Sequence, residues 1–303
     1  MHVTTLARRT FLTGVVASAG VPLTWNYFQQ PKAVAISGPH LIIAADTIEA
    51  AIEPSIVPLQ EFFKKAQSGV PRFTDSARGW ISTGKLAWDA LPFTANTRHK
   101  EYLRNEFEWH VFRATDLQST IEKCLNRFEQ AIVSAESEML VGLNADSPDF
   151  SGRPKKQLDQ VGLNRECQAI ISRSETATQE AVVNGVSQSI VAGITQRVLA
   201  QVAASLARSL GVYWIAAVIA PETLGASIVA AIVIDTLVGW IWNWYADPRG
   251  NLIHELNRQL ASIEAVLLDR TNGKGGLKSE MLKYAKERQS VRDQAVRNLL
   301  NES

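Results

Sequence analysis

Between Pro92 and Gly142 the chain contains neither proline nor glycine. Within that stretch Leu103, Phe107, Val111, Ala114, Ile121, Leu125, Phe128, Ile132, Ala135 and Met139 recur in a near-heptad rhythm. That period puts apolar side chains on one face of a helix. A single helix from about Thr97 to Asn144 would span ~70 Å at 1.5 Å per residue. Such a rod needs a partner along its whole apolar seam. The expected fold is therefore all-α, an elongated multi-helix bundle with one very long helix packed as in coiled coils.

The same period recurs elsewhere. Residues 40–66 carry Leu41, Ile48, Ile52, Ile56, Leu59 and Phe63, with Pro54 and Pro58 expected to kink or split the helix. Gly69 and Pro71 mark a loop, and Trp80, Gly84, Trp88 and Leu91 a short helix that Pro92 ends. Residues 145–156, with Pro148, Gly152 and Pro154, break the pattern. They separate an N-terminal part, residues 36–147, from a C-terminal part, residues 155–303. Beyond the break Val183, Val186, Ile190, Ile194, Val198, Val202, Leu206 and Leu210 form a second stripe. Ile253, Leu256, Leu260, Ile263 and Leu267 form a third. The last helix carries Leu277, Met281, Tyr284, Arg288, Val291, Ala295 and Leu299 in register. No strand pattern and no internal repeat is visible.

Composition excludes classes without selecting one. The 303 residues are 46% apolar and 20% charged, which supports a packed core and argues against disorder. Lys and Arg total 31 against 30 Asp and Glu, so no nucleic-acid footprint is expected. Two cysteines are too few for a disulfide scaffold.

Residues 1–35 contain Arg8, Arg9 and Lys32 and no acidic residue. An apolar stretch from Phe11 to about Trp25 follows, then the small residues Ala33-Val34-Ala35. Basic, apolar and small in that order is an export leader. Ala7-Arg8-Arg9-Thr10-Phe11-Leu12-Thr13 resembles the twin-arginine signal of bacteria, whose usual form is Ser/Thr-Arg-Arg-x-Phe-Leu-Lys. Arg8, Arg9, Phe11 and Leu12 match, while Ala7 and Thr13 depart. The resemblance implies export of a folded protein by the twin-arginine machinery, into the periplasm or cell envelope. An ordinary secretory signal with two arginines, or an apolar first helix of a cytosolic protein, are the alternatives. Cleavage after Ala35 would leave residues 36–303, with 28 basic and 30 acidic residues.

Residues 209–245 form the most apolar part of the chain. Ser209–Ala220 lacks any charge, Pro221-Glu222-Thr223 is a turn signal, and Leu224–Tyr245 carries only Asp235. The second arm is long enough to cross a bilayer core of ~30 Å, whereas Arg208 cuts the first arm short. Ala203, Ala207 and Gly211, then Ala226 and Ala230, recur four apart and let helix backbones approach closely. Trp240, Trp242, Trp244 and Tyr245 cluster at the end, like the belt that marks a membrane–water boundary. A helix apolar all round is buried in protein or in lipid, and both readings stand at this stage. Asp235 divides them: in lipid it is expensive unless paired, and in a protein core it needs only a partner.

Motifs for chemistry are weak. His99, Glu106 and His110 share a helix face and form a candidate metal site; the alternative is a polar stripe with a Glu106–His110 ion pair. His254-Glu255 lacks the second histidine of a zinc-protease signature, because Arg258 stands there. Gly273-Lys274-Gly275-Gly276 lacks the spacing of a phosphate loop, and Gly185-Val186-Ser187-Gln188-Ser189 lacks the final glycine of a nucleophile elbow. Glu122, Glu129, Glu136 and Glu138 are expected on the solvated side of the long helix. Cys124 and Cys167 would meet an oxidising compartment after export, where one disulfide is an option beside two free thiols. No cofactor and no catalytic residue is expected.

The reading that follows is a non-enzymatic helical protein of the cell envelope that binds a protein partner or the membrane surface. The layout also resembles helical pore-forming proteins, in architecture only, which implies insertion of hairpin 209–245. A metal-binding protein or enzyme centred on His99, Glu106 and His110 is the remaining class.

Overall fold

The computed structural model describes residues 30–82, 97–146, 158–173, 188–210, 225–246, 251–268 and 275–301. Among them are nine helices and no strand. They are α1 (Gln30–Ala50), α2 (Ile52–Ser82), α3 (Thr97–His110), α4 (Ala114–Asp146), α5 (Gln160–Arg173), α6 (Gln188–Ser209), α7 (Ala226–Ala246), α8 (Leu252–Leu268) and α9 (Leu277–Asn301). The all-α expectation holds. Residues 1–29 of the export leader, with Arg8, Arg9, Phe11 and Leu12, lie outside those described, as do the stripe residues Val183 and Val186 and most of the first hairpin arm, while residues 30–35 open α1.

Two interrupted helical tracks make the frame. α1 and α2 run against α4 and α3 in the opposite direction. His40 meets Asp146 at one end, Phe73 packs edge-on against Phe107, and Ser76 lies by Tyr102 further along. The first track breaks at Ala51, three residues before Pro54. Proline's ring collides with the carbonyl four residues back and offers no N–H to it. The Ser55 hydroxyl bonds the Ala51 carbonyl at 2.7 Å and helps satisfy the backbone there.

The single long helix expected from Thr97 to Asn144 is corrected: it stops at His110 and resumes at Ala114. The longest described helix is α4, at 33 residues. The break has a tertiary cause. Val111 and Phe112 are both buried, and the Phe112 ring lies 5.3 Å from the rings of Phe62 and Phe107. Adjacent residues in a regular helix point about 100° apart. Leaving the helix lets both turn inward. The new N-terminus is then capped from within, because the Asp116 carboxylate accepts from the Arg113 amide at 3.4 Å. The seam itself survives: Leu103, Phe107, Ile121, Leu125, Phe128, Ile132, Ala135 and Met139 are all buried.

A second correction concerns Gly69 and Pro71, which lie inside α2 rather than in a loop. Gly69 sits where α2 crosses the end of α3. A Cβ there would fall 1.8 Å from the His110 carbonyl oxygen. The glycine is a contact residue, not a helix terminator.

The remaining helices close over this frame. α7 packs on α6, α4 and α3; α8 on α2 and α6; α9 on α5, α1 and α2. One buried cluster includes side chains from every one of the nine helices, so the N- and C-terminal stretches share a core. Across the expected boundary, the Asn144 amide donates to the Leu158 carbonyl at 2.7 Å and accepts from its N–H at 2.9 Å.

The close approach at Gly69 makes a direct prediction. Gly69→Ala should lower stability by about 1–3 kcal/mol, as overpacking does, despite alanine's better helix propensity. Gly79→Ala, where nothing lies within 4 Å, should instead stabilise by about 0.5–1 kcal/mol. Thermal melts of the two variants check the opposite signs.

Candidate functional site

α7 is the one helix among the described residues that is long and apolar enough to cross a membrane, over Ala226–Trp244. Its inward side is completely covered: Val229, Ala230, Val233, Ile234, Leu237 and Ile241 are at 0% exposure. Yet only 44% of that span is buried in the protein. Ile228 is half-exposed, and Asp235 and the partly buried Trp242 follow it at intervals of seven on the same outward line. Trp240 and Trp242 pack partly against the core, and Trp244 is half-buried. The tryptophans are therefore divided between the protein and its surface. The Thr236 hydroxyl bonds the Ile232 carbonyl at 2.7 Å, so it makes no demand on α7's neighbours.

The Asp235 carboxylate projects from the outward line and meets Arg104 Nη1 of α3 at 3.1 Å. Arg104 also gives its Nε to Glu108 at 3.0 Å. The hydrogen bond to Glu108 and the charge of Asp235 hold the guanidinium above its ordinary pKa, against partial desolvation. Other large apolar side chains are exposed on separate helices, with Trp109 on α3, Val161 on α5 and the adjacent Ile42 and Ile43 on α1. Single exposures of that kind are ordinary on a soluble protein.

The candidate metal face comes only partly together. His110 Nε2 lies 3.3 Å from Glu106 Oε2, the expected i,i+4 pair. The same Oε2 accepts a 2.5 Å hydrogen bond from Ser76 Oγ of α2, and Tyr102 OH lies 3.3 Å from that hydroxyl. The His99 side chain lies outside those described. Among the described residues no three His, Cys, Asp or Glu side chains converge as a metal site would require. The Ser76 proton points to a carboxylate and not to His110, so this trio lacks the serine–imidazole bond of an activated nucleophile.

The most demanding polar contact was not foreseen. Glu136, expected on the solvated side of the long helix, is 1% exposed. Arg288 of α9 grips it with two hydrogen bonds, Nε to Oε1 and Nη2 to Oε2, both 2.7 Å. Gln160 of α5 adds a third at 3.2 Å. Burial opposes the Arg288 charge, but the Glu136 hydrogen bond and charge outweigh it and raise its pKa. One signal was present in the sequence, since Arg288 falls in the apolar register of the last helix. Nearby, Arg292 is 1% exposed and bonds the Leu41 carbonyl and the Asp293 carboxylate.

The disulfide option is corrected. Cys124 and Cys167 are both free and buried. Cys124 contacts Leu59 of α2, whereas Cys167 senses Glu136 and Arg288. Twelve residues separate position 124 from Glu136 on α4, about 18 Å of helix. The thiols thus sit at different levels of the bundle, and burial pushes each pKa up to about 11.

No known protein family, no curated protein and no solved structure matches this chain.

Two measurements test these contacts. Glu136→Ala should cost about 3–5 kcal/mol in chemical denaturation, because Arg288 is left buried and unpaired. The double replacement Glu136→Leu with Arg288→Met should recover most of that loss. In a thiol-reagent titration without reductant, the folded protein should react negligibly near neutral pH and the unfolded chain should release two thiols.

Proposed function

We propose that this chain is an exported, non-enzymatic helical-bundle protein of the bacterial cell envelope that acts by contact with a membrane surface through α7. The single observation that carries this reading is the half-covered state of that helix. Its span is long enough for a bilayer, and although most of its outward residues are partly buried, Ile228 stands exposed there as a large apolar side chain. Ile228 at 51% exposure is the leading apolar contact on its outward line. In this reading α7 is the second arm of the central apolar hairpin expected from the sequence over residues 209–245.

A second reading, favoured by the 19-residue length of the apolar span, is full insertion in the manner of helical pore-forming proteins. At about 28 Å by the helical rise, the span suits the hydrocarbon core. A protein partner seated on the same outward line would make the same helix the contact surface.

Export follows from Arg8, Arg9, Phe11 and Leu12. Replacing Arg8 and Arg9 together by lysine should abolish passage of the folded chain into the periplasm while leaving its expression intact, as cell fractionation would show. The membrane reading is tested by vesicle flotation of wild type beside Ile228→Glu. The variant should float at least several-fold less and unfold at the same temperature. Equal flotation would move the contact away from α7.

A further inference from the structure

We infer that Asp235 is a charge barrier that keeps α7 on the bundle and out of lipid. The inference rests on the membrane reading of α7 and adds its control element. Asp235 is the only charged residue of α7 and stands at the midpoint of the Ala226–Trp244 span. Insertion would therefore carry its carboxylate to the bilayer centre, where lipid offers no hydration and no hydrogen-bond donor. On insertion scales an aspartate at that depth lowers the equilibrium by roughly 70- to 400-fold.

Among the described residues the cation that meets Asp235 is Arg104, and the local geometry shows why it does not travel with α7. Arg104 belongs to α3 and is tied to Glu108 on its own helix at 3.0 Å. When α7 departs, Arg104 keeps that partner and stays behind. Asp235 would leave alone. The Arg104–Asp235 pair is itself a weak fastener, because the Asp235 side chain is 57% exposed and that of Arg104 39%. The barrier is thus the charge that must be buried, and not the ion pair that must be broken. Along the rest of the outward side Ile228, Ala231, Ile232, Gly239 and Trp242 are uncharged and apolar, and the exposed Ser227 and Asn243 near the ends of the span are polar but uncharged, so Asp235 is its one charge.

The distinction sets the test. Full-length wild type, Asp235→Asn, Asp235→Glu and Arg104→Gln are mixed with phosphatidylcholine–phosphatidylglycerol vesicles. Flotation and quenching of tryptophan by lipids brominated deep in the acyl chain are then read. Asp235→Asn should raise deep quenching at least tenfold in vesicle concentration required. Asp235→Glu should behave as wild type, and Arg104→Gln should stay within about threefold of it. Flotation of wild type with no gain in Asp235→Asn overturns the barrier and leaves the membrane reading intact. A gain in Arg104→Gln equal to that of Asp235→Asn also overturns it, since the pair would then be the fastener. Failure of all four proteins to float overturns the membrane reading and the barrier with it.

Discussion

The placement of the C-terminal helices depends on one buried contact, the two-pronged grip of Arg288 on Glu136. It joins α9 to α4 across 152 residues of chain. Such a pair gives little net stability, because both charges lose their water. Its effect is on register. A slip of α9 by one helical turn, about 5.4 Å, would strand a carboxylate in the core and leave a guanidinium without its partner. Apolar seams tolerate such slips far better, since leucine packs against any apolar neighbour. Gln160 brings α5 to the same carboxylate, so three helices are aligned by a single acidic side chain. Arg292, one turn further along α9, fixes α1 through the Leu41 carbonyl.

The helical seams could be read from the sequence because they are local and periodic. Leu41, Ile48, Ile56, Leu59 and Phe63 were recognisable as core from their spacing alone, and all are buried. The interruption at Phe112 and Arg113 could not be read this way. No proline or glycine marks it, and its cause is an aromatic pocket built partly from Phe62, fifty residues earlier. Gly69 misled in the opposite direction. It carries the signature of a loop but serves a helix crossing, and only the position of the His110 carbonyl reveals that.

Polar contacts divide along the same line. Glu106 and His110 are four residues apart on one helix, so their pairing was legible. The Ser76 hydroxyl that shares their carboxylate comes from α2, thirty residues away, and nothing in its neighbourhood announces it. Glu136 lies beside Ala135 at the edge of the α4 seam. In a two-helix coil that flank faces water. Here α9 and α5 cover it, and a residue typical of a solvated face becomes a core residue. The arginine in the apolar register of α9 was the visible half of a pair whose other half looked ordinary. For α7 the sequence leaned towards a protein core without excluding lipid, and in the fold one side of the helix is fully covered while Ile228 and Asp235 on the other are exposed.

The Asn144 clasp has a separate consequence. Its side-chain amide meets both the N–H and the carbonyl of Leu158, as a neighbouring strand would, and so holds the two ends of the intervening chain at a fixed separation. The core on either side then meets the same endpoints whatever the chain between them contains. The alignment of α5 beside the end of α4 is therefore written into Asn144 itself: one amide reads the backbone of Leu158 on both its donor and its acceptor side, so a side chain does the work of a strand pairing in a fold built of helices.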